Sequence, residues 1–402
     1  MAPSDPRSAG PGAMDRVPIA PQSVDAPLTQ SAIFLVLVLA DGDGDGDGDG
    51  GADGHGDADG HGDADGHGAG TGEGAGDAAL TTVRGVLADL DGLVKTVGFR
   101  DLQARLSCTV GIGERIWADL TGRALPQELH PFREIVGATH TAVATPGDLL
   151  FHIRSERQDL CFEFERLLLD ALGASVAVVD EVTGFRYFDA RDLLGFVDGT
   201  ANPVGPDLPA STLVGDEDAE FAGGSYVVVQ KYLHPLSDWQ TLTTEQQEAI
   251  IGRTKPDNVE LDDAVTGQKS HKTLATITDD AGEHDILRDN MPFGRAGSAE
   301  FGTYFIGYAR YLWVIERMLE RMFIGDPPGL HDRILDFSTP QTGSTFFAPP
   351  ASMLATIDEI GDATPDAQED DPASARPTLA RHSDPSLGIG SLKTTNTTNA
   401  TS

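Results

Sequence analysis

The apolar positions follow two periods that alternate along the chain. Ser31-Ala-Ile-Phe-Leu-Val-Leu-Val-Leu39 is a nearly unbroken apolar run, the pattern of a strand buried on both faces. Leu80, Val83, Leu87, Leu90 and Val94 then recur at helical spacing. Leu106 to Ile112 predicts a strand ending at Gly113, followed by a short helix over 114–120 and a further strand over 147–153. Leu160, Phe164, Leu167, Leu168 and Ala171 mark a helix that stops at Gly173, and 174–182 is the next strand. The first half therefore reads strand, helix, strand, strand, helix, strand, which is the ferredoxin-like order.

The second half repeats part of this. Ser225-Tyr-Val-Val-Val-Gln-Lys-Tyr232 predicts a strand, 237–251 a helix with Ser237 as its cap and Asp238 in its first turn, and 301–309 a strand. Leu312, Ile315, Leu319 and Met322 share one face of a last helix, with Glu316, Arg317, Glu320 and Arg321 as its solvated side. The expected fold class is α+β: duplicated ferredoxin-like halves, 25–190 and 191–350, with antiparallel sheets, peripheral helices and a site between the halves.

Segments without either period flank and interrupt these halves. Residues 1–24 are rich in Pro, Ser, Ala and Gly and read as a disordered leader, within which Met14 is an alternative start. Residues 41–77 hold 11 Asp, one Glu and no Lys or Arg, including two full copies and a truncated third of Asp-Gly-His-Gly-Asp-Ala. Such a segment has no apolar area to bury and reads as a solvated insertion, with weak cation capture by its Asp and His groups as the other reading. From 351 onward Pro, Asp, Ser and Thr predict a disordered tail.

The formal charge of −36 argues against a nucleic-acid partner, which wants a basic face. The longest apolar run, nine residues, is too short to span a bilayer, and neither a basic segment nor a cleavage site accompanies it as in an export signal. No membrane partner is expected. Cys108 and Cys161 lie in apolar segments and read as buried thiols, which suits a reducing, cytoplasmic compartment.

Candidate chemistry centres on Leu193-Leu-Gly-Phe-Val-Asp-Gly-Thr-Ala-Asn-Pro203, where Asp198 stands on a loop hinged by Gly195 and Gly199. Of eleven histidines, three lie in the acidic insertion and one in the tail, and composition does not choose among the other seven. Gly-Phe-Val-Asp-Gly-Thr-x-Asn-Pro resembles the signature of the dye-decolourising peroxidases, haem enzymes that consume hydrogen peroxide. Gln268-Lys-Ser-His-Lys-Thr273 is similar to the family's proximal-histidine segment, and Ile286-Leu-Arg-Asp-Asn-Met-Pro-Phe-Gly294 to its distal segment. The resemblance extends through Pro146 to His152, Arg157 to Phe164, Asp336 to Thr339 and Thr342 to Phe347.

The resemblance implies haem b in the C-terminal half with His271 as axial ligand to the iron, and His284 as the alternative. Phe196, Gly199 and Thr200 would line the haem site. It implies that Asp198 takes a proton from peroxide and returns it to the leaving oxygen, that Arg288 stabilises the developing negative charge, and that Asn290 is their polar neighbour. Asp336 is the expected acceptor for the ring N–H of His271. Hydrogen peroxide and a small-molecule reductant are the expected substrates, and a homo-oligomer the expected assembly. Trp239, Tyr308, Tyr311 and Trp313 are candidate stations for electrons arriving from the reductant. The other reading of the same pocket is a haem- or iron-handling protein of the deferrochelatase kind, with peroxidase activity incidental.

Near the end stands Asp384-Pro-Ser-Leu-Gly-Ile-Gly-Ser-Leu-Lys393. Leu387, Ile389 and Leu392 are apolar anchors on a segment whose Gly388 and Gly390 permit close backbone approach, with Ser391 and Lys393 beside them. The string is similar to the cargo-loading peptides that send dye-decolourising peroxidases into encapsulin shells, which implies an encapsulin shell protein as partner.

Overall fold

A computed structural model describes residues 21–40, 72–262, 267–280 and 282–360. The insertion as far as 71 and the tail from 361, with Leu387, Gly388, Ile389, Gly390, Ser391, Leu392 and Lys393, lie outside the described residues. Ten strands form one antiparallel sheet: β1 (Ser31–Leu39), β2 (Ser107–Ile112), β3 (Leu149–Ser155), β4 (Val176–Phe185), β5 (Ser225–Leu233), β6 (Leu287–Arg288), β7 (Met291–Arg295), β8 (Glu300–Ala309), β9 (Thr339–Pro340) and β10 (Ser344–Ala348). In the first half the order is β2–β3–β1–β4. In the second it is β6–β8–β5–β10, with β7 also on β8 and β9 on β5. With β6 and β7 taken as one interrupted strand, each half places its third and first strands at the centre, so the ferredoxin-like unit occurs twice.

The halves do not stack as two separate sheets. They join edge to edge where Phe347 of β10 pairs with Ile112 of β2. The sheet then curls until its outer strands meet: a Cβ on Gly184 of β4 would overlap the Met291 side chain of β7. Strand β1 shows why its run is apolar throughout. Ala32, Phe34 and Val36 point into the curl beside Tyr304, Ile306 and Tyr308, whereas Ile33, Leu35 and Leu37 point outward under the helices. Both faces are buried, and each such Leu, Ile or Phe contributes about 1.5–3 kcal/mol.

Helices α1 (Gly72–Ala88), α2 (Leu90–Gly98), α3 (Glu114–Thr121), α4 (Gln158–Leu172), α5 (Thr244–Ile251), α6 (His271–Ala275) and α7 (Leu312–Phe323) cover the outer face. Four expectations need correction. Helix α1 takes up the last residues of the expected insertion, 72–77. The leader is packed from residue 22, because the Gln22 amide bonds both the N–H and the carbonyl of Val110 and the carbonyl of Pro349. Leu354 and Ile357, expected in a tail, are buried in the core. The helix expected over 237–251 is two, since Thr243 and Gln246 make a capping box that starts α5 afresh.

Both cysteines are buried free thiols, and burial pushes the Cys161 thiol up to about 12. Among the described residues no helix is long and apolar enough to cross a membrane.

Candidate active site

The outward face of the second half's sheet carries a wide cleft, about 1240 Å³ counting space open to solvent. Its walls come from residues between 192 and 338 alone, so it lies within the C-terminal half and not between the halves as expected. Alternation along the strands decides which side chains reach it. Gln230 and Tyr232 of β5 and Thr303 and Phe305 of β8 face the cleft, while Val227, Val229, Tyr304 and Ile306 face the curl.

One wall is the short helix α6, which presents His271. Its Nδ1 lies 2.6 Å from Oδ2 of Asp332, a fully buried carboxylate, so Nδ1–H donates there. That fixes the tautomer and leaves Nε2 without a partner among the described residues. Burial disfavours the imidazolium, but Asp332, through charge and hydrogen bond, outweighs it and raises the His271 pKa. The expected acceptor, Asp336, is elsewhere: its Oδ1 lies 3.1 Å from Nε2 of His140 and 2.9 Å from Nε2 of His331. Asp332 is four residues earlier, and its Oδ1 also accepts from the Ile334 N–H at 3.0 Å. His284 is no alternative ligand, since it lies 2.8 Å from Asp279, rests edge-on against Trp313 and does not line this cleft.

Asp198, Arg288 and Asn290 also line the cleft. Gly199 adopts φ 76°, which turns its N–H back onto Oδ1 of Asp198 at 2.7 Å. Asn290 Nδ2 reaches the same oxygen at 3.4 Å, held in that orientation because its Oδ1 accepts the Ile306 N–H at 3.2 Å. Among the described residues no hydrogen bond reaches Oδ2 of Asp198. Phe196 is buried against Trp239, and the Thr200 hydroxyl accepts from Asn258 Nδ2 at 2.9 Å.

Two residues that sequence reasoning passed over hold this wall. Asn202 grips the main chain of Arg288 from both sides, accepting its N–H at 3.0 Å and donating to its carbonyl at 2.7 Å. The Asn-Pro pair that looks like a turn end is therefore a clamp. Asp192, also on the cleft, accepts the Phe196 N–H at 2.8 Å, and burial pushes its carboxyl up to about 7. Asp289, between Arg288 and Asn290, points the other way into the curl, where Arg154 meets it at 3.2 Å. Both are fully buried, and removing one partner of such a pair costs about 3–5 kcal/mol. This pair thereby fixes the backbone that aims Arg288 and Asn290. The Arg288 guanidinium has Met318 Sδ at 3.8 Å, and burial lowers its pKa against the opposing pull of Asp198 and Asp285.

Of the candidate electron stations, Trp239 is buried and donates to the Leu194 carbonyl at 2.9 Å, and Tyr308 is buried inside the curl with its hydroxyl 2.8 Å from His152. Tyr311 and Trp313 are half-buried beside each other at the outer surface.

The cleft suits haem by its donor set. It offers one imidazole whose Nε2 has no partner among the described residues, apolar walls from Leu194, Phe305, Met318, Leu319 and Met322, and cationic Arg253 and Lys272, which both also meet Glu260. A buried donor, Gln230 Nε2, lies on the same floor with no partner among the described residues.

Sequence models of the Dyp-type peroxidase N-terminal and C-terminal regions match residues 75–186 and 189–353. A dye-decolorizing peroxidase of Mycobacterium tuberculosis is 48% identical over 377 residues, covering 93% of this chain and 97% of that protein. A Rhodococcus jostii DypB variant solved in complex with heme superposes with a TM-score of 0.72 at 51% identity, over 84% of this chain and 98% of that one. The encapsulated DyP-type peroxidase of Mycobacterium smegmatis superposes with a TM-score of 0.73 at 48% identity, over 84% of this chain and 97% of that one.

Proposed function

The chain belongs to the Dyp-type peroxidases, and on that basis we propose that the cleft between His271 and the Asp198–Arg288–Asn290 wall is where hydrogen peroxide is reduced and organic donors are oxidised. The enzyme is haem-dependent, and its donors are dye-like or phenolic compounds. The observation that carries the assignment is the placing of His271 and of Asp198, Arg288 and Asn290 around one cleft. Haem b, when bound, supplies the iron at which the O–O bond is broken and the oxidising equivalents are stored.

The protein's own groups divide the remaining work. Nε2 of His271 would hold the iron, and Asp332 keeps the ring in the tautomer that allows it. Oδ2 of Asp198 takes the proton from peroxide and returns it to the leaving oxygen, while Oδ1 stays tied to Gly199 and Asn290. Arg288 sets a fixed positive charge beside the oxygen on which negative charge grows. Tyr311 and Trp313, at the outer surface, are the stations of the four that a bulky donor can reach. Haem-loaded protein should shift its Soret band on addition of peroxide and then oxidise a phenolic dye. Iron release without peroxide, with no such shift, would instead mark a haem-handling protein.

The enzyme is further proposed to be cytoplasmic cargo of an encapsulin shell, held by 384–393. The relative from M. smegmatis is itself described as encapsulated. The anchors Leu387, Ile389 and Leu392 support a groove-docking peptide. Removing 384–402 should abolish co-purification with the shell protein while leaving peroxidase activity intact, and undiminished co-purification would refute this role for the tail.

A further inference from the structure

A second cluster lies behind the partner of His271. His140 stands at the turn of the hairpin made by Ile135–Val136 and Thr141–Ala142, a turn closed by the Gly137 N–H on the His140 carbonyl at 2.9 Å. His331 adjoins Asp332, and its carbonyl accepts from Gln268 Nε2 at 2.9 Å. Asp336 belongs to the 3-10 helix Arg333–Phe337, which Asp332 caps. Two anchored segments distant in sequence, the 135–142 hairpin and the 331–337 turn, thus bring three side chains to one point.

Both imidazoles direct Nε2 at the same carboxylate oxygen, at 3.1 and 2.9 Å, with the rings 4.8 Å apart and inclined at 74°. All three potential ligand atoms fall within 4.8 Å of one another. Bonds of about 2.0–2.2 Å to a cation place adjacent ligand atoms about 2.9–3.5 Å apart, so the two N···O spacings are already those of a coordination sphere. Two imidazoles and a carboxylate are a donor set for zinc and its first-row neighbours. The three side chains are partly exposed, which leaves room for water in the other positions. Arg333 approaches Oδ2 of Asp336 at 3.4 Å and leaves Oδ1 to the histidines. The haem chemistry uses none of the three.

We propose that His140, His331 and Asp336 bind a divalent transition-metal cation of the zinc class, at a site separate from the haem cleft. Bound there, the cation ties the 135–142 hairpin to the turn that holds Asp332, and so braces the support of His271 from outside.

The test is zinc itself, on full-length haem-loaded protein dialysed against Zn²⁺ at neutral pH and then against a weak chelator. The wild type should retain about one zinc per chain more than either His140→Ala or Asp336→Asn. The histidines of the 41–77 segment are common to all three proteins and cancel in that difference. Zinc-soaked crystals should show an anomalous peak between the three side chains. Equal zinc in wild type and in variants that keep the wild-type Soret band and melting temperature would overturn the proposal. So would an anomalous peak confined to other residues, an outcome that decides the matter even where a variant fails to fold.

Discussion

Arg288→Ala is expected to slow the peroxide-driven change of the Soret band by about 10²–10³-fold, the usual loss when a preorganised group facing developing charge is removed. The guanidinium is half-buried with the Met318 thioether at 3.8 Å, and Asn202 holds its main chain in place. Charge so placed needs no reorganisation as negative charge grows on the leaving oxygen, and truncation leaves nothing comparable behind. Asp198→Ala should cost less, because Asn290 remains and water can relay the proton. Arg288→Lys should recover only part of the rate, since a point charge does not reproduce the planar fork. Stopped-flow spectra with both alanine variants at the wild-type rate would remove this wall of the cleft from the mechanism.

Legibility of the fold followed how far one interaction decided each element. The run from Ala32 to Leu37 could be read outright because both faces of β1 are apolar. Strands β6 and β7 could not, because the segment Arg288-Asp289-Asn290 looks polar throughout. Its alternation is real, but the inward residue is a charge neutralised by Arg154, 135 positions earlier in the chain. The helix expected over 237–251 fell to a choice between two start signals. Ser237 was a plausible cap, but Thr243 with Gln246 three residues on completes a reciprocal box that Ser237 lacks.

The site divides in the same way. Asp198, His271 and Arg288 were singled out through motif resemblance, and the fold brings them to one cleft. The supporting groups carry weaker signals. Asp332 and Asp336 occupy successive turns of one short segment, and only tertiary contact tells which meets His271 and which meets His140 and His331. Asn202 stands directly before a proline, a signal for a local turn, yet its side chain acts at long range on Arg288.

Asp332→Asn should weaken haem retention by about 10–100-fold, although the change adds no bulk and removes no heavy atom. In the wild type, Oδ2 accepts Nδ1–H of His271 at 2.6 Å and Oδ1 accepts the Ile334 N–H at 3.0 Å, so the side chain acts only as an acceptor. An amide has one acceptor oxygen and one donor nitrogen. With the oxygen turned to His271, its NH₂ confronts the Ile334 N–H and the cap is lost. With the oxygen on Ile334, the NH₂ faces Nδ1, and the imidazole must move its proton to Nε2, the atom needed for iron. The first orientation strands a buried donor, a loss of about 1–3 kcal/mol or roughly 5- to 160-fold, and the second gives up the nitrogen needed for iron. Transfer of haem to excess apomyoglobin measures the loss directly. Asp332→Glu should restore part of the retention if charge and tautomer are what matter, whereas wild-type transfer rates in Asp332→Asn would show that this carboxylate does not govern His271.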